Sequence, residues 1–227
     1  MPFDRRVLLT GSAALISAPA LPGRAVAQTP PPAGAAPPAA TDAAPPAPPA
    51  APAENARLSE RSLGAASAPM VVQEFFSLTC SHCGAFGREV WPQVKRELVQ
   101  TGKVRFVWRD FPLDQIALRA AVVARYFPVE AYEPFIETLF TLQDRWAFAR
   151  GIDHKTEIGK IATLAGMSQS TFDSAWADDD TARGILALRQ QGERTYNVQA
   201  TPTFVFGTRV VSGAIPFDRF AQEAARS

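Results

Sequence analysis

Cysteine, histidine and methionine are scarce in this chain, and their scarcity excludes several classes of protein. Two cysteines, two histidines and three methionines stand among 227 residues. Two cysteines cannot build the framework of several disulfides that stabilises many small secreted proteins. A zinc site needs four ligands, and only the cysteines, His82 and His154 are soft or imidazole ligands. We therefore expect the thiols to work as a reactive pair, rather than as half of a zinc site or as an inert disulfide.

An excess of charge of one sign is absent, and so are long apolar runs beyond the N-terminus. The chain carries 23 Lys and Arg against 22 Asp and Glu, for a net charge of +1. Balanced charge gives no support for nucleic-acid binding. After residue 27, no apolar run is long enough to span a bilayer. Residues 57–227 are of ordinary size for one folded domain.

The first 27 residues have the features of an export signal. Arg5 and Arg6 precede the apolar stretch Val7–Ala20, and Ala25-Val26-Ala27 has the small-x-small form of a signal-peptidase site. We expect cleavage after residue 27 and a periplasmic location. The paired arginines fit a twin-arginine signal as well as an ordinary secretory signal. The alternative is a buried N-terminal helix.

Residues 28–56 are predicted to be a disordered linker. Ala and Pro fill 22 of the 28 positions from 29 to 56. Such a composition cannot bury a core, and its prolines favour extended conformations. The segment either holds the folded domain away from an envelope surface or has no task of its own.

Cys80-Ser81-His82-Cys83 lies between the apolar run Met70–Phe76 and a helix-like stretch. At a helix N-terminus, unpaired amides and the positive end of the dipole would stabilise a Cys80 thiolate and lower its pKa. His82 can add a hydrogen bond or positive charge. Cys83, further into the helix, is expected to be buried and to act as the resolving thiol. A Cu(I) site on both thiolates is the open alternative.

Glu74 and Pro202 are further candidates for the site. Glu74 lies inside an apolar strand, where a buried carboxylate could exchange a proton with Cys83. The alternative is a carboxylate at the solvated end of that strand. Thr201-Pro202 directly precedes another strand, and a cis bond there would turn the Thr201 backbone toward an incoming peptide. Base rates favour a trans bond.

The order of predicted elements is strand, helix, strand, helical block, hairpin and helix. The strands are 70–77, 104–108, 203–206 and 209–211. The helices are 81–100 with a kink at Pro92, then 117–126, 131–146, 155–165, a short one after Ser168, one from Asp178 and one from Pro216. This order predicts an α/β protein with a thioredoxin-like fold: a central mixed sheet flanked by helices, with an inserted helical domain at about 113–196.

Three motifs together resemble the DsbA-type thiol:disulfide oxidoreductases of the bacterial envelope. They are Glu74-Phe75-Phe76-Ser77, Cys80-Ser81-His82-Cys83 and the late Thr201-Pro202-Thr203-Phe204. The resemblance covers about residues 65–225. It implies that Cys80 is an exposed nucleophile, that His82 is its chief tuner and that Cys83 resolves.

The same resemblance implies that Glu74 is the buried acid beside the pair. It also implies that Pro202 is a cis proline opposite the disulfide, and that Thr201 makes backbone contacts with substrate. Two departures are notable. Ser81 stands where the best-known members have proline, and Gly87 stands where many have a second acidic residue.

The expected function is a periplasmic oxidase that introduces disulfides into reduced exported proteins and needs no cofactor. A membrane redox partner would reoxidise the two cysteines to the disulfide. The alternatives are a reductase or isomerase of the same fold, a Cu(I)-binding envelope protein and a peptide-holding chaperone. A Cu(I) carrier should have more Met or His near the pair, where Met70 is the nearest Met. Isomerases of this group usually dimerise through an N-terminal domain, which the Ala/Pro tract replaces here, so a monomer is expected.

Overall fold

The described part of the chain is an α/β domain built on one mixed sheet. The computed structural model describes residues 55–226, so the predicted signal peptide and all but the last two residues of the predicted linker lie outside the described residues. Five strands form this sheet in the order β1-β3-β2-β4-β5. β2 and β3 are parallel, and the other neighbouring pairs are antiparallel. The strands are β1 (Arg61–Leu63), β2 (Met70–Phe76), β3 (Val104–Asp110), β4 (Thr203–Phe206) and β5 (Arg209–Ser212).

The edge strand β1 was not predicted from the sequence. It pairs antiparallel with β3, and Arg61 lies opposite Trp108. A segment of three residues that begins with an arginine is too short to show the alternation of polar and apolar side chains that indicates a strand. The hairpin of β4 and β5 agrees with the prediction. Gly207 in its turn has φ +60°, a left-handed conformation that favours glycine.

Helices α3 to α8 lie between β3 and β4 and form the predicted helical block. The stretch predicted as one helix from Ala131 to Trp146 is two helices, because Leu142 leaves helical geometry between them. The first of them begins at Val129, so Pro134 lies in its second turn rather than its first. The helices are α3 (Gln115–Arg125), α4 (Val129–Thr141), α5 (Gln143–Trp146), α6 (His154–Leu164), α7 (Gln169–Trp176) and α8 (Asp179–Tyr196), and α9 (Phe217–Ala225) follows β5.

The helix that follows β2 continues through Pro92. It consists of α1 (Ser81–Ala85), a π-helical segment (Phe86–Val90), α2 (Trp91–Val94) and a second π-helical segment (Lys95–Val99). Pro92 has no N–H to donate to a preceding carbonyl, and the adjacent Trp91 amide bonds to Phe86, one residue further back than in an α-helix. The helix therefore passes Pro92 with a wider turn on its N-terminal side.

Aromatic side chains hold this helix against the sheet. The Phe86 ring lies 4.7 Å from that of Phe204, and the Trp91 ring lies 4.5 Å from that of Phe106, measured between ring centroids. Such pairs stabilise the core beyond the burial of their area. They fix the start of the helix beside the ends of β2 and β4. Across residues 55–226, no helix is long and apolar enough to cross a membrane.

Candidate active site

Cys80 occupies the N-terminal cap position of α1, in the turn after β2. Its backbone is extended, and its carbonyl accepts a hydrogen bond from the Gly84 amide at 3.0 Å. The amides of His82 and Cys83 act on the Cys80 sulfur as hydrogen-bond donors. These amides have no earlier helical carbonyl to bind, so they are free to stabilise negative charge.

The environment of Cys80 favours the thiolate. A hydrogen bond from the Cys83 thiol, a hydrogen bond with Thr201 and the two backbone amides lower the pKa of Cys80 from 9.0 to about 5, against an opposing effect of burial. The Thr201 hydroxyl oxygen is buried and has no other hydrogen-bond partner among the described residues. It is therefore available to donate to the anion. Near neutral pH, the sulfur is predominantly ionised.

The prediction of an exposed Cys80 is wrong for the dithiol form that the structure describes. Cys80 is 8% exposed, and both cysteines are free thiols. The segment at Thr201 and Pro202 covers it: in its protonated form, the Cys80 thiol donates to the Thr201 carbonyl at 3.3 Å. The Thr201–Pro202 bond is cis, as the resemblance implies, and Pro202 is buried.

Cys83 is fully buried in the first turn of α1. Burial raises the pKa of its thiol well above 9.0, and its hydrogen bond to Cys80 and the charges of Glu74 and Cys80 raise it further. A thiol that donates to a neighbouring thiolate holds its own proton more tightly. The pair therefore carries one anion, on Cys80, and one proton, on Cys83.

Glu74 is a buried carboxyl group in the centre of the sheet. It lies on β2, opposite Trp108 of β3 and Phe204 of β4, and is 3% exposed. The solvated position that the sequence left open is therefore excluded. Burial, and then the negative charge of Cys80, raises the pKa of Glu74 to about 8. At neutral pH, Glu74 is a protonated acid that can supply a proton to Cys83.

His82 reaches the site through its backbone rather than its ring. The residue is exposed, and no hydrogen bond of its imidazole occurs in the described part of the chain. Its amide is the group that acts on Cys80. The resemblance made His82 the chief tuner of the nucleophile, whereas the Cys83 thiol has the largest effect here. Within residues 55–226, no group of three or more His, Cys, Asp or Glu side chains is placed to hold a metal ion.

Gln143 supports the active-site turn and was not predicted from the sequence. It is the first residue of α5 and is 2% exposed. Its side-chain amide donates to the carbonyls of Leu78 at 2.7 Å and Cys80 at 3.0 Å. The helical block therefore stabilises the backbone of the turn that carries Cys80. A lone glutamine in a helical sequence gives no signal that separates it from a surface residue.

The comparison with protein families agrees with this geometry. A family model described as thioredoxin matches residues 57–223. The chain belongs to this thioredoxin family. Alpha-DsbA1 of Wolbachia pipientis has a similar crystal structure, with a TM-score of 0.68 and 28% identity, over 73% of this chain and 89% of that chain. The predicted resemblance to DsbA-type proteins and the predicted thioredoxin-like fold are thereby confirmed.

Two further similarities come from other bacteria. A Rickettsia typhi protein, named provisionally as a protein-disulfide oxidoreductase, is 25% identical over 143 residues, which are 63% of this chain and 52% of that protein. The chain thus spans about half the length of the curated relatives it matches. A protein-disulfide isomerase from Novosphingobium aromaticivorans shares the fold, with a TM-score of 0.65 and 22% identity, over 74% of this chain and 98% of that chain.

Five of the six predicted site residues meet at one place. Cys80 and Cys83 come from the start of α1, the carboxyl group of Glu74 comes from β2, and Thr201 and Pro202 come from the segment before β4. The ring of the sixth, His82, lies at the exposed rim. The arrangement can hold a thiolate, a protonated thiol and a neutral carboxylic acid close enough to shift one another's pKa values.

Proposed function

We propose that this chain is a periplasmic thiol:disulfide oxidoreductase of the DsbA type, which introduces disulfides into reduced exported proteins through Cys80 and Cys83. The observation that carries the proposal is the stabilised Cys80 thiolate beside a buried, protonated Cys83. The likeness to alpha-DsbA1 and to the named oxidoreductase supports it. The signal-like N-terminus supports the location.

The reaction begins with the Cys80–Cys83 disulfide. A client thiolate attacks the Cys80 sulfur, the bond between the two cysteines breaks, and Cys83 leaves as a thiolate that takes the proton of Glu74. A second client thiolate then attacks the client sulfur of the mixed disulfide, and Cys80 leaves as a stable thiolate. The client is oxidised by two electrons and the pair is reduced by two. A membrane oxidase linked to quinone would reoxidise the pair.

The thiolate sets the direction of this exchange. A pKa of about 5 instead of 9.0 stabilises the reduced pair about a hundredfold at pH 7. At 29.6 mV per tenfold change, the disulfide is about 60 mV more oxidising than one with an ordinary Cys80 thiol. The lowered pKa of Cys80 therefore shifts the equilibrium toward oxidation of clients.

An isomerase of the same fold is the second candidate, because the similar Novosphingobium protein carries that name. An isomerase must be kept reduced, and a stable Cys80 thiolate suits that state as well. The equilibrium of the pair with glutathione separates the two. A strongly oxidising potential supports the oxidase, and a strongly reducing one contradicts it.

The direct test follows oxidation of a peptide with two thiols by the oxidised full chain. We expect Cys80→Ser to abolish oxidation and Cys83→Ser to accumulate mixed disulfides with the peptide, because Cys80 carries the stabilised thiolate at the helix cap and Cys83 is the fully buried thiol. Ser81→Ala, next to the nucleophile, is the control and should remain active. Adducts formed by Cys80→Ser instead would reverse the assigned roles.

A further inference from the structure

Glu74 faces a narrow cavity that extends away from the two cysteines. One of its carboxyl oxygens, Oε1, is buried and has no hydrogen-bond partner among the described residues. The cavity is about 10 Å³, close to the volume that one water molecule needs. Glu74, Gly87 and Trp91 line it together with Glu133 and Glu137 of α4. A buried carboxyl group thus shares one space with two further carboxyl groups.

Gly87 keeps this space open. A Cβ atom at residue 87 would lie 3.0 Å from the Phe140 ring, closer than ordinary van der Waals contact. A glutamate at this position, as in many DsbA-type proteins, would require that ring to move. The absence of an acid at position 87 therefore coincides with close packing of this helix against α4, the helix that carries Glu133 and Glu137.

The two glutamates of α4 form a hydrogen-bonded cluster that reaches the surface. Glu133 accepts hydrogen bonds from the Trp91 indole at 2.9 Å and from Lys95 at 2.6 Å. Lys95 also lies 3.9 Å from Glu137, whose side chain is 36% exposed. Burial, and then a hydrogen bond with Glu133 and its charge, raises the pKa of Glu137. The cluster therefore joins a buried carboxylate to a carboxyl group that exchanges protons with solvent.

We propose that Glu133 and Glu137 form a proton relay that reprotonates Glu74 through this cavity, in place of an acid at position 87. The inference rests on the proposed function. Glu74 gives its proton to Cys83 when the disulfide opens and must regain one before the next cycle. Glu137 takes a proton from solvent, Glu133 passes it inward, and one water molecule in the cavity carries it to Oε1 of Glu74. When the pair is reoxidised, Cys83 loses the proton that it received, and this proton leaves through Glu74 and the same two carboxyl groups. One proton therefore enters and one leaves in each cycle.

Ionisable groups on neighbouring elements act on both ends of the proposed relay, at Glu74 and at the pair Glu133 and Glu137. The negative charge of Cys80 and the thiol of Cys83 face Glu74 at its inner end. Lys95 faces Glu133 and Glu137 at the outer end and favours one shared negative charge there. A proton can therefore be held in the cluster while Glu74 is neutral, and can move inward when Glu74 becomes ionised. Both glutamates act through Glu74 and do not touch the substrate.

The test measures the rate at which the oxidised full chain oxidises a dithiol peptide in repeated turnovers with an excess of oxidant, from pH 5 to pH 9. In Glu133→Gln/Glu137→Gln, both relay carboxyls are replaced by amides of the same shape. We expect a loss of roughly tenfold near neutral pH, with partial recovery on addition of imidazole buffer, which supplies protons at the cavity mouth. The potential against glutathione should be unchanged.

Three single variants sharpen the result. Glu137→Gln, at the exposed end, should slow turnover with little risk to folding, whereas Glu137→Asp keeps a carboxyl group and should retain the rate. Glu130→Gln, an exposed position on the same helix, is the matched control for loss of one negative charge. Its rate should equal that of the unmodified chain.

Two results would overturn the relay while leaving the proposed function intact. One is a double variant that turns over at the normal rate at every pH. The other is a slowed double variant that imidazole does not accelerate, because that indicates a structural defect. If the unmodified chain fails to oxidise the peptide, the proposed function itself fails, and the relay fails with it.

Discussion

Replacement of Glu74 by glutamine should change the stability of the domain in a pH-dependent way. The carboxyl group has a pKa of about 8 in the folded protein, against an ordinary value of 4.5. Between these values, the folded chain holds a proton that the unfolded chain has released, so stability falls as pH rises. Below pH 4.5, Glu74 is protonated in both the folded and the unfolded chain, so its ionisation does not lower the stability. Above pH 8 both are ionised, and the full cost of a buried charge is present.

The magnitude follows from the interval between the two pKa values. From 4.5 to about 8, at about 1.36 kcal/mol per pH unit, the penalty reaches about 5 kcal/mol. Glutamine carries no charge at any pH. The free energy of unfolding of Glu74→Gln, relative to that of the unmodified chain, should therefore rise by about this amount between pH 4.5 and pH 8 and then level off. Any constant cost of burying the amide leaves this slope unchanged.

Urea unfolding of the reduced protein at pH values from 4 to 9 measures the difference. Cys80 titrates over part of this range, and its lowered pKa makes stability rise with pH. Taking the difference between the two proteins removes that contribution to first order. Repeating the pair of measurements in a Cys80→Ser background removes the thiolate, so the rise should shift toward lower pH. Glu97→Gln, which removes a carboxyl group whose side chain is 44% exposed, is the control for loss of one acidic group.

A difference that stays constant from pH 5 to pH 9 would refute the reasoning. It would mean either that Glu74 ionises at its ordinary pKa or that water reaches it freely in the folded state. Either result would also remove the acid that the proposed reaction assigns to Cys83.

Two further predictions concern the turn that carries the nucleophile. The ultraviolet absorbance of the Cys80 thiolate should titrate with a midpoint near 5, and Thr201→Val should raise this midpoint, because it removes a hydroxyl that can donate to the anion; an unchanged midpoint would contradict the role of that hydroxyl. Gln143→Ala should lower the free energy of unfolding by about 1–3 kcal/mol, since it leaves the Leu78 and Cys80 carbonyls without their donor. Gln169→Ala, at an exposed position, should change stability little in the same urea measurement.

The features that the sequence predicted are those encoded by residues close together in the chain. Cys80 and Cys83 lie three positions apart after an apolar strand, and this local pattern is enough to place them at a helix N-terminus. Glu74 could be identified as a candidate because a charged group inside an apolar strand is costly to bury unless it is paired or neutralised. The cis bond before Pro202 followed from the resemblance, since base rates favour trans.

The features that the sequence did not predict depend on contacts between distant segments. Burial of Cys80 requires Thr201, which lies 121 residues away and packs over the sulfur. Gln143 contacts the active-site turn from 63 residues away, through a helix that begins where Leu142 interrupts helical geometry. Strand β1 is defined by its pairing with β3, which its three residues cannot indicate by themselves. Hydrophobic periodicity describes one segment at a time and carries no information about such contacts.

The ionisations of Cys80 and Glu74 depend on each other. In water, a carboxyl group with a pKa of 4.5 ionises long before a thiol with a pKa of 9.0, but here Cys80 ionises near 5 and Glu74 near 8. If Glu74 lost its proton first, its charge would oppose the thiolate and raise the pKa of Cys80. Burial keeps Glu74 neutral, so the anion forms on the sulfur and the proton stays on the carboxyl group. At pH 7, the site therefore combines a neutral Glu74, the acid that the proposed reaction needs when the disulfide opens, with a stable Cys80 thiolate, the leaving group of the step that follows.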